Sequence, residues 1–314
     1  KAIGSGPFTV ADFQPGQSLK LARSDTYHGT KAASNVVEFM QYSDADALSK
    51  ALTDGSLDMA APVSASTATG LNGKDGLTVK EGATTDKVLL AYNNGTDSLL
   101  SDEQARKAFR YQIDAAGIAS AQPDAAGALG GPISLLEPGY EDLTGLYPHD
   151  ENQAGQMFSY FGAQYLTTVN LVVPEEYRSL AETIKQQIER QPRPTVNLEV
   201  LSDEDYAKRI KDGKWELTVM SMDGTDDAGI FADPDSMFHY DHTEAQQAYA
   251  DARAATNDAD YEARMKAYAR LISEDAASDW LYTRKCFTVA STKVSGYPTS
   301  MINRRMPLAG LTVK

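Results

Sequence analysis

Residues that bind metals or form cross-links are scarce in this sequence. Its 314 residues include one cysteine, Cys286, and four histidines. A single cysteine excludes an internal disulfide, and its place in an apolar segment is typical of a small core residue. His239 and His242 lie three positions apart beside Asp241, but no third ligand follows at a spacing typical of a metal site. The sequence therefore predicts no disulfide, no metal and no cofactor.

Long apolar runs and positive charge are scarce as well. The longest apolar run, at 87–92, has the length of a strand and falls short of the roughly 18 residues that a membrane-spanning helix needs. With 44 acidic and 29 basic residues, the formal net charge is −15. So negative a surface repels phosphate groups, which argues against binding to nucleic acid or to anionic membranes. Hydrophobic residues still make up 42% of the chain, as in folded globular proteins.

Motifs for covalent catalysis and nucleotide binding are missing too. No G-x-S-x-G stretch predicts a nucleophile elbow, and the glycines at 4 and 6 lack the spacing and the lysine of a phosphate loop. Paired carboxylates could support glycosidase-type hydrolysis, but that chemistry needs two carboxylates on rigid elements in different environments. The acidic residues here cluster in a glycine-interrupted loop. We therefore expect a protein that is not an enzyme, with a carboxylate-dependent hydrolase as the weakest alternative.

A β-α-β-α-β pattern is the clearest sign of the fold. Segments rich in β-branched residues at 167–173, 195–200 and 215–220 predict three strands. Apolar residues at helical spacing predict a helix after each of the first two strands. The first begins near Pro174, and the second is capped by Ser202 and ended by Gly213. This order is typical of an open parallel sheet in an α/β fold.

The flanking regions predict further strands and helices. Strands are expected at 9–13, 18–23, 35–42, 57–60, 87–93 and 280–291. Ser43 and Gly55 bracket a short helix, so the strands at 35–42 and 57–60 are expected to be joined by a right-handed parallel crossover. A capping box beginning at Ser101 predicts another helix, and two long helices are expected at 244–256 and 259–274.

An acidic loop follows the strand at 215–220. It contains five carboxylates, Asp223, Asp226, Asp227, Asp233 and Asp235. In an open α/β sheet, ligands bind beyond the carboxyl ends of the strands, so these groups could receive a peptide amine or a guanidinium group. Two other interpretations stay open. Calcium could bind, although the spacing differs from that of an EF-hand, or the loop could be solvated without a ligand.

Residues at the ends of two predicted strands complete the candidate site. Tyr92 and Asn93 end the strand at 87–93, and Met222 and Phe231 lie in the acidic loop. Both aromatic side chains are placed where a cleft could expose them to a ligand. The candidate ligand-binding residues are therefore Tyr92, Asn93, Met222, Asp223, Asp226, Asp227 and Phe231.

A series of short motifs resembles the extracellular solute-binding proteins of family 5, the peptide- and nickel-binding class that serves ATP-binding-cassette importers. Each motif is weak alone, but together they keep the family's order over almost the whole chain. They are G-S-G-P-F at 4–8, F-Q-P-G at 13–16, A-L-x-x-G-x-L-D at 51–58, A-Y-N at 91–93, D-x-x-A-R-K-A-F at 102–109, I-D at 113–114, G-P-I at 131–133, L-Y-P-x-D at 146–150, K-x-G-x-W-E-L at 211–217 and A-D-P-D at 232–235.

The resemblance implies a fold and a division of the chain. The family has the periplasmic-binding-protein fold of type II, cluster C, with two α/β lobes and mixed sheets. Its members carry a further N-terminal portion before the G-x-G-P stretch, so the chain is expected to begin partway through the family's architecture. Residues 1–100 with 285–314 are expected to form part of lobe I, and residues 101–284 to form lobe II.

The resemblance also implies a function without catalysis. Such proteins capture a peptide or similar small solute between two lobes, close around it by a hinge motion and deliver it to permease subunits in the membrane. In peptide-binding members an aspartate shortly before the D/E-P pair receives the peptide amine. Ile230 stands at that position here, and Asp226 and Asp227 could substitute for it. The ligand therefore stays open.

Location and partners follow from the same resemblance. The protein is expected outside the cytoplasmic membrane, either periplasmic or lipid-anchored, and as a monomer. An alternative function is an extracytoplasmic sensor that binds a pheromone or nutrient peptide and signals through a partner protein. Neighbouring genes would distinguish the two, because an importer is encoded beside permease genes and a sensor beside a kinase gene.

Overall fold

The computed structural model describes residues 4–162, 168–303 and 305–314. It divides the chain into unit 1, Lys1–Ala83 with Lys285–Lys314, and unit 2, Thr84–Arg284. The first division of the chain lies between residues 83 and 84, and the second lies between residues 284 and 285. One uninterrupted strand carries the chain across the first division, and a boundary inside a strand has no loop or change of composition to mark it.

The elements up to the first division belong to unit 1. In chain order they are β1 (Phe8–Gln14), β2 (Ser18–Arg23), β3 (Val36–Met40), α1 (Ala45–Asp54), β4 (Met59–Val63), α2 (Ala65–Leu71) and the first part of β5 (Leu77–Tyr92). The following elements belong to unit 2, which ends at Arg284 within β10. They are α3 (Glu103–Gln112), α4 (Ala115–Ala121), β6 (Ala125–Ala128), α5 (Glu151–Gly162), β7 (Thr168–Pro174), α6 (Arg178–Ile188), β8 (Thr195–Leu201), α7 (Asp203–Lys211), β9 (Leu217–Met222), α8 (Thr243–Arg253), α9 (Asp258–Glu274) and β10 (Ser278–Ser291), followed in unit 1 by β11 (Val294–Ser295) and β12 (Thr312–Val313).

The expected parallel crossover between β3 and β4 is wrong. β3 pairs antiparallel with β2 in a three-stranded sheet of β1, β2 and β3. β4 instead pairs antiparallel with β10, with Ala60 opposite Val289. The helix between them was predicted correctly, but a strand-helix-strand order implies a crossover only when both strands join the same sheet.

The β-α-β-α-β prediction is confirmed in unit 2. β7 is parallel to β8 over its whole length and parallel to β9, and α6 and α7 connect the three strands. β5 lies on the other side of β9 and runs antiparallel to it, from Lys87 opposite Met222 to Tyr92 opposite Leu217. Thr167, which the sequence placed at the start of the first strand, lies outside the described residues.

Two hydrophobic clusters cover the two faces of this sheet. Side chains of β5 alternate between them, with Val88, Leu90 and Tyr92 in one cluster and Leu89 and Ala91 in the other. A strand that is buried on both faces is apolar at every position, which explains the continuous run in the sequence. The first cluster includes residues of α3, α5 and α6, and the second includes residues of α8 and α9.

Two helices begin one residue later than the capping signals predicted. α1 is capped by Asp44, whose carboxylate accepts the Ala47 N–H at 2.7 Å, and α3 is capped by Asp102, which accepts the Gln104 N–H at 2.8 Å. Ser43 donates its hydroxyl to the Asp44 carboxylate instead. In both places an aspartate follows a serine, and the carboxylate is the stronger acceptor for an N-terminal N–H. No helix among the described residues is both long and apolar enough to cross a membrane.

Candidate functional site

The acidic loop leaves the sheet of unit 2 at the carboxyl end of β9. Because β7 and β8 are parallel to β9, the carboxyl ends of all three strands share one edge, which we call the acidic edge. β5 is antiparallel to β9, so Lys87, which pairs with Met222, lies at this edge, and the end of β5 at Tyr92 lies at the opposite one. The loop is therefore placed where open α/β sheets bind ligands.

Asp226 is the more exposed of the two adjacent aspartates, with 49% of its side chain accessible. Its Oδ1 accepts the Tyr249 hydroxyl at 2.9 Å, and its Oδ2 lies 3.4 Å from the Arg253 guanidinium. Partial burial, together with Asp226, raises the pKa of Tyr249 to about 12. The tyrosine therefore stays protonated and donates a hydrogen bond to the carboxylate. Asp226 is held in place from one side and open to solvent on the other.

Asp227 is turned toward the protein and is 22% exposed. Its Oδ2 accepts the Gly224 N–H at 2.6 Å, which closes a tight turn in the loop. A Cβ at position 224 would collide with this carboxylate, so the turn requires glycine there. The second interaction of Asp227 is with the Lys87 ammonium, 3.6 Å away. Asp227 therefore stabilises the shape of the loop.

A buried lysine holds the loop from beneath. Lys87 is 2% exposed, and its Nζ donates to Glu137 Oε2 at 2.8 Å, to the Gly224 carbonyl at 3.0 Å and to the Thr85 carbonyl at 3.1 Å. Glu137, itself 3% exposed, also accepts the Ser134 N–H. Sequence analysis missed this residue because a lysine next to an apolar run usually marks the solvated end of a strand. The only available sign was that the polar residues at 85–87 include no glycine or proline to mark a turn, so that the strand could continue through Lys87.

Asp223 and Met222 are partly exposed where β9 ends. The Asp223 carbonyl accepts the Thr85 hydroxyl at 2.8 Å, which fastens the beginning of the loop to β5. Met222 pairs with Lys87 across the sheet and packs against the second hydrophobic cluster. These two residues lie at the acidic edge, close in sequence to Asp226 and Asp227.

The other three candidate residues are buried. Tyr92 is fully buried in the first hydrophobic cluster, and Phe231 is fully buried against Phe238, with ring centroids 4.4 Å apart. Asn93 is also buried, and its amide donates to the Trp215 carbonyl at 2.9 Å. Tyr92 and Asn93 are five and six residues beyond Lys87 in an extended segment, which puts them about 17–20 Å from the acidic edge. The direction of β5, which the sequence left open, separates them from Asp226.

Arg284 forms a second polar cluster at the acidic edge. Its guanidinium lies 3.1 Å from Asp124 and 3.6 Å from Asp86, and it donates to the Tyr177 hydroxyl at 3.3 Å. Burial raises the pKa of Tyr177, while Ser221 and Arg284 oppose that change. Thr84 donates its hydroxyl to the Arg284 carbonyl at 2.6 Å, which brings this cluster next to the start of unit 2. No local pattern in the sequence indicates this cluster, because its members are up to 198 positions apart.

Carboxylates outnumber basic groups at the acidic edge. Asp223 and Asp226 reach solvent, and Lys87, Arg253 and Arg284 each already lie beside at least one carboxylate. An edge of this kind favours a ligand with a positively charged group. Among the described residues, no cluster of three or more histidine, cysteine, aspartate or glutamate side chains is arranged to hold a metal ion.

The family model for bacterial extracellular solute-binding proteins, family 5 Middle, matches residues 1–249, and the chain belongs to this family. No curated protein matches the sequence. The resemblance seen in the short motifs is thereby confirmed, and the family is one of extracellular solute-binding proteins.

Solved structures show the same fold. The substrate-binding protein CtaP from Listeria monocytogenes has a TM-score of 0.84 at 15% identity, over 99% of this chain and 67% of that chain. NikA from Brucella suis, in complex with Fe(III)-EDTA, has a TM-score of 0.79 at 16% identity, over 99% and 68%. The oligopeptide-binding protein AppA from Bacillus subtilis, in complex with a nonapeptide, has a TM-score of 0.74 at 17% identity, over 99% and 67%. The chain thus has the mixed α/β fold of type II periplasmic binding proteins and spans about two thirds of the length of these three.

Proposed function

We propose that this chain acts in the substrate-binding component of an ATP-binding-cassette importer. It captures a peptide or another small polar solute with a positively charged group and delivers it, unaltered, to permease subunits in the membrane. Membership of the family supports the proposal that the protein captures a solute. The excess of carboxylates at the acidic edge supports the proposal that the solute is positively charged. Such a protein works outside the cytoplasmic membrane, and closure of the lobes around the ligand stays a prediction.

Four of the candidate residues form the site at the acidic edge in this proposal, three as ligand contacts and one as a support of the loop. Asp226 has a solvent-facing carboxylate fixed by Tyr249, so it is the residue we assign to the cationic group of the ligand. Asp223 adds a second partly exposed carboxylate, and Met222 offers a flexible apolar surface beside it. Asp227 contributes by holding the turn at Gly224. We assign Tyr92, Asn93 and Phe231 to the support of the sheet and the loop.

Neutralising the two adjacent aspartates is expected to weaken ligand binding about tenfold or more, which corresponds to one lost charge-assisted hydrogen bond. The measurement is calorimetry on the full-length protein with Asp226→Asn/Asp227→Asn, using peptides with free amino termini. The matched control is Asp233→Asn/Asp235→Asn, which removes two exposed charges from the same loop.

Comparing the peptides with their N-acetylated forms separates the charge of the ligand from its shape. The proposal expects acetylation to weaken binding to the wild-type protein and to have little further effect on the Asp226→Asn/Asp227→Asn variant. Equal affinities of the two double variants for the free peptides would show that the acidic edge does not receive a cation.

A further inference from the structure

The three-stranded sheet of unit 1 has one apolar face. Cross-strand pairing and the alternation of side chains place six apolar residues on it, in two rows that run across the strands. A β-bulge in β1 shifts the alternation by one residue, so the two members from β1 are three positions apart rather than two. We call this surface the apolar face; one row is Phe13, Leu19 and Phe39, and the other is Val10, Leu21 and Val37.

The opposite face of the same sheet is mostly polar. Lys20 lies there between Asp12 and Glu38, in a row of alternating charges that water solvates well. The same face also carries Val36 and Met40, each beside polar or small neighbours. One polar and one apolar face are typical of an antiparallel sheet whose apolar side packs against another layer of secondary structure.

In the part of the chain that the structure describes, no such layer covers the apolar face. All six of its residues stay at least partly accessible to solvent, with Phe13 61% and Phe39 46% exposed. The hydrophobic core of unit 1 is a third cluster around Leu52, Val63 and Val289, and none of its described members comes from β1, β2 or β3. A contiguous exposed apolar surface of this kind marks a contact with another polypeptide or ligand.

The length of the solved structures indicates what covers this face. They align with 99% of this chain, yet about a third of each has no counterpart in the 314 residues. A second copy of the chain suits the face less well, because each copy has a formal net charge of −15, and like charges oppose self-association. The same charge opposes contact with an anionic membrane.

We propose that the apolar face is the docking surface for the portion of the full-length protein that lies outside these 314 residues. That portion places apolar side chains against the two rows and leaves the face of Asp12, Lys20 and Glu38 in water, so that the two layers enclose one core. The inference concerns unit 1 and does not depend on the ligand assigned to the acidic edge.

Hydroxyl-radical footprinting of the full-length wild-type protein tests this proposal, with each oxidation rate normalised to that of the denatured protein. Phe13 and Phe39 are expected to react about tenfold more slowly than in the denatured protein, or slower still, because the docked portion shields them. Val36 is 48% exposed on the other face of β3 and is expected to stay reactive. Equal normalised rates at Phe39 and Val36 would overturn the proposal. Protection that is lost on dilution would also overturn it, because the face would then bind a second copy.

Two aspartate substitutions in the full-length protein give a second, independent measurement. Phe39→Asp puts a carboxylate into the proposed contact, so it is expected to lower the denaturant midpoint of unfolding and to raise the oxidation rate of Phe13 in the same row. Val36→Asp adds the same side chain to the polar face and is expected to shift the midpoint much less and to leave Phe13 protected. Equal midpoints and equal oxidation of Phe13 in the two variants would contradict the proposal.

Discussion

Replacing Lys87 with methionine is expected to lower the free energy of unfolding by about 3–5 kcal/mol. Lys87 is the charge partner of Glu137, and both side chains are almost completely inaccessible to water. Without the ammonium, Glu137 keeps a buried charge whose desolvation nothing offsets, and the Gly224 and Thr85 carbonyls lose their donor. Methionine fills nearly the same volume, so the loss reports the charge and not a cavity. The measurement is unfolding by denaturant, in which the midpoint is expected to fall while the slope of the unfolding free energy against denaturant concentration stays unchanged.

Two further variants separate burial from pairing. Lys107 forms an ion pair with Glu103 on the surface of α3, and Lys107→Met is expected to change the stability by no more than about 1 kcal/mol. Removing both buried charges in Lys87→Met/Glu137→Leu is expected to restore part of the stability lost in the single variant, because no unpaired charge remains at position 137, whereas Asp227 and the Gly224 and Thr85 carbonyls still lack the ammonium. A single variant as stable as the wild type would mean that Glu137 finds another partner or binds a proton without cost.

Phe231→Ala is expected to destabilise unit 2 by about 3–5 kcal/mol and to affect ligand binding only through the loop. The ring lies in a buried aromatic group, 4.4 Å from the centroid of Phe238 and 5.4 Å from that of Trp280. Truncation of this buried ring leaves a cavity beneath the acidic loop. Thermal unfolding and calorimetry of the same variant measure the two effects side by side.

The control for this substitution is Leu135→Ala. Leu135 belongs to the same unit but is 68% exposed, so its truncation is expected to change the stability by about 0.5 kcal/mol or less. If Phe231→Ala instead kept its stability and lost affinity, the ring would act as a ligand contact, the role for which the sequence made it a candidate. The burial of the ring leads us to expect the first result.

The parts of the fold that could be predicted are those encoded by short-range patterns. The β-α-β-α-β segment has β-branched strands, amphipathic helices and the end signals Ser202 and Gly213, all within about 50 residues. The strand at the centre of unit 2 was recognised from its apolar run, although β5 begins ten residues earlier than predicted. The acidic loop was located correctly at the carboxyl end of β9, since strand polarity within that segment follows from its connections.

The parts that could not be predicted depend on contacts between distant residues. Nothing near Tyr92 in the sequence states that β5 runs antiparallel to β9, and this direction alone moves Tyr92 and Asn93 to the opposite edge. Lys87 meets Glu137 and Gly224 across 50 and 137 positions. Arg284 likewise contacts Asp124, which is distant from it in the sequence. Contacts of this kind depend on how distant segments pack together, so neither the amino-acid composition nor the periodicity of apolar residues can predict them.

Native mass spectrometry tests whether the protein captures a solute and releases it unaltered. The full-length protein is purified from its source without denaturation, and the bound solute is identified before and after release. We expect a small polar molecule with a positively charged group, bound one to one and released with its mass unchanged after long incubation. A solute that leaves the protein chemically altered, or a protein that retains no solute and binds none of a broad panel of peptides and other small cations, would contradict the account.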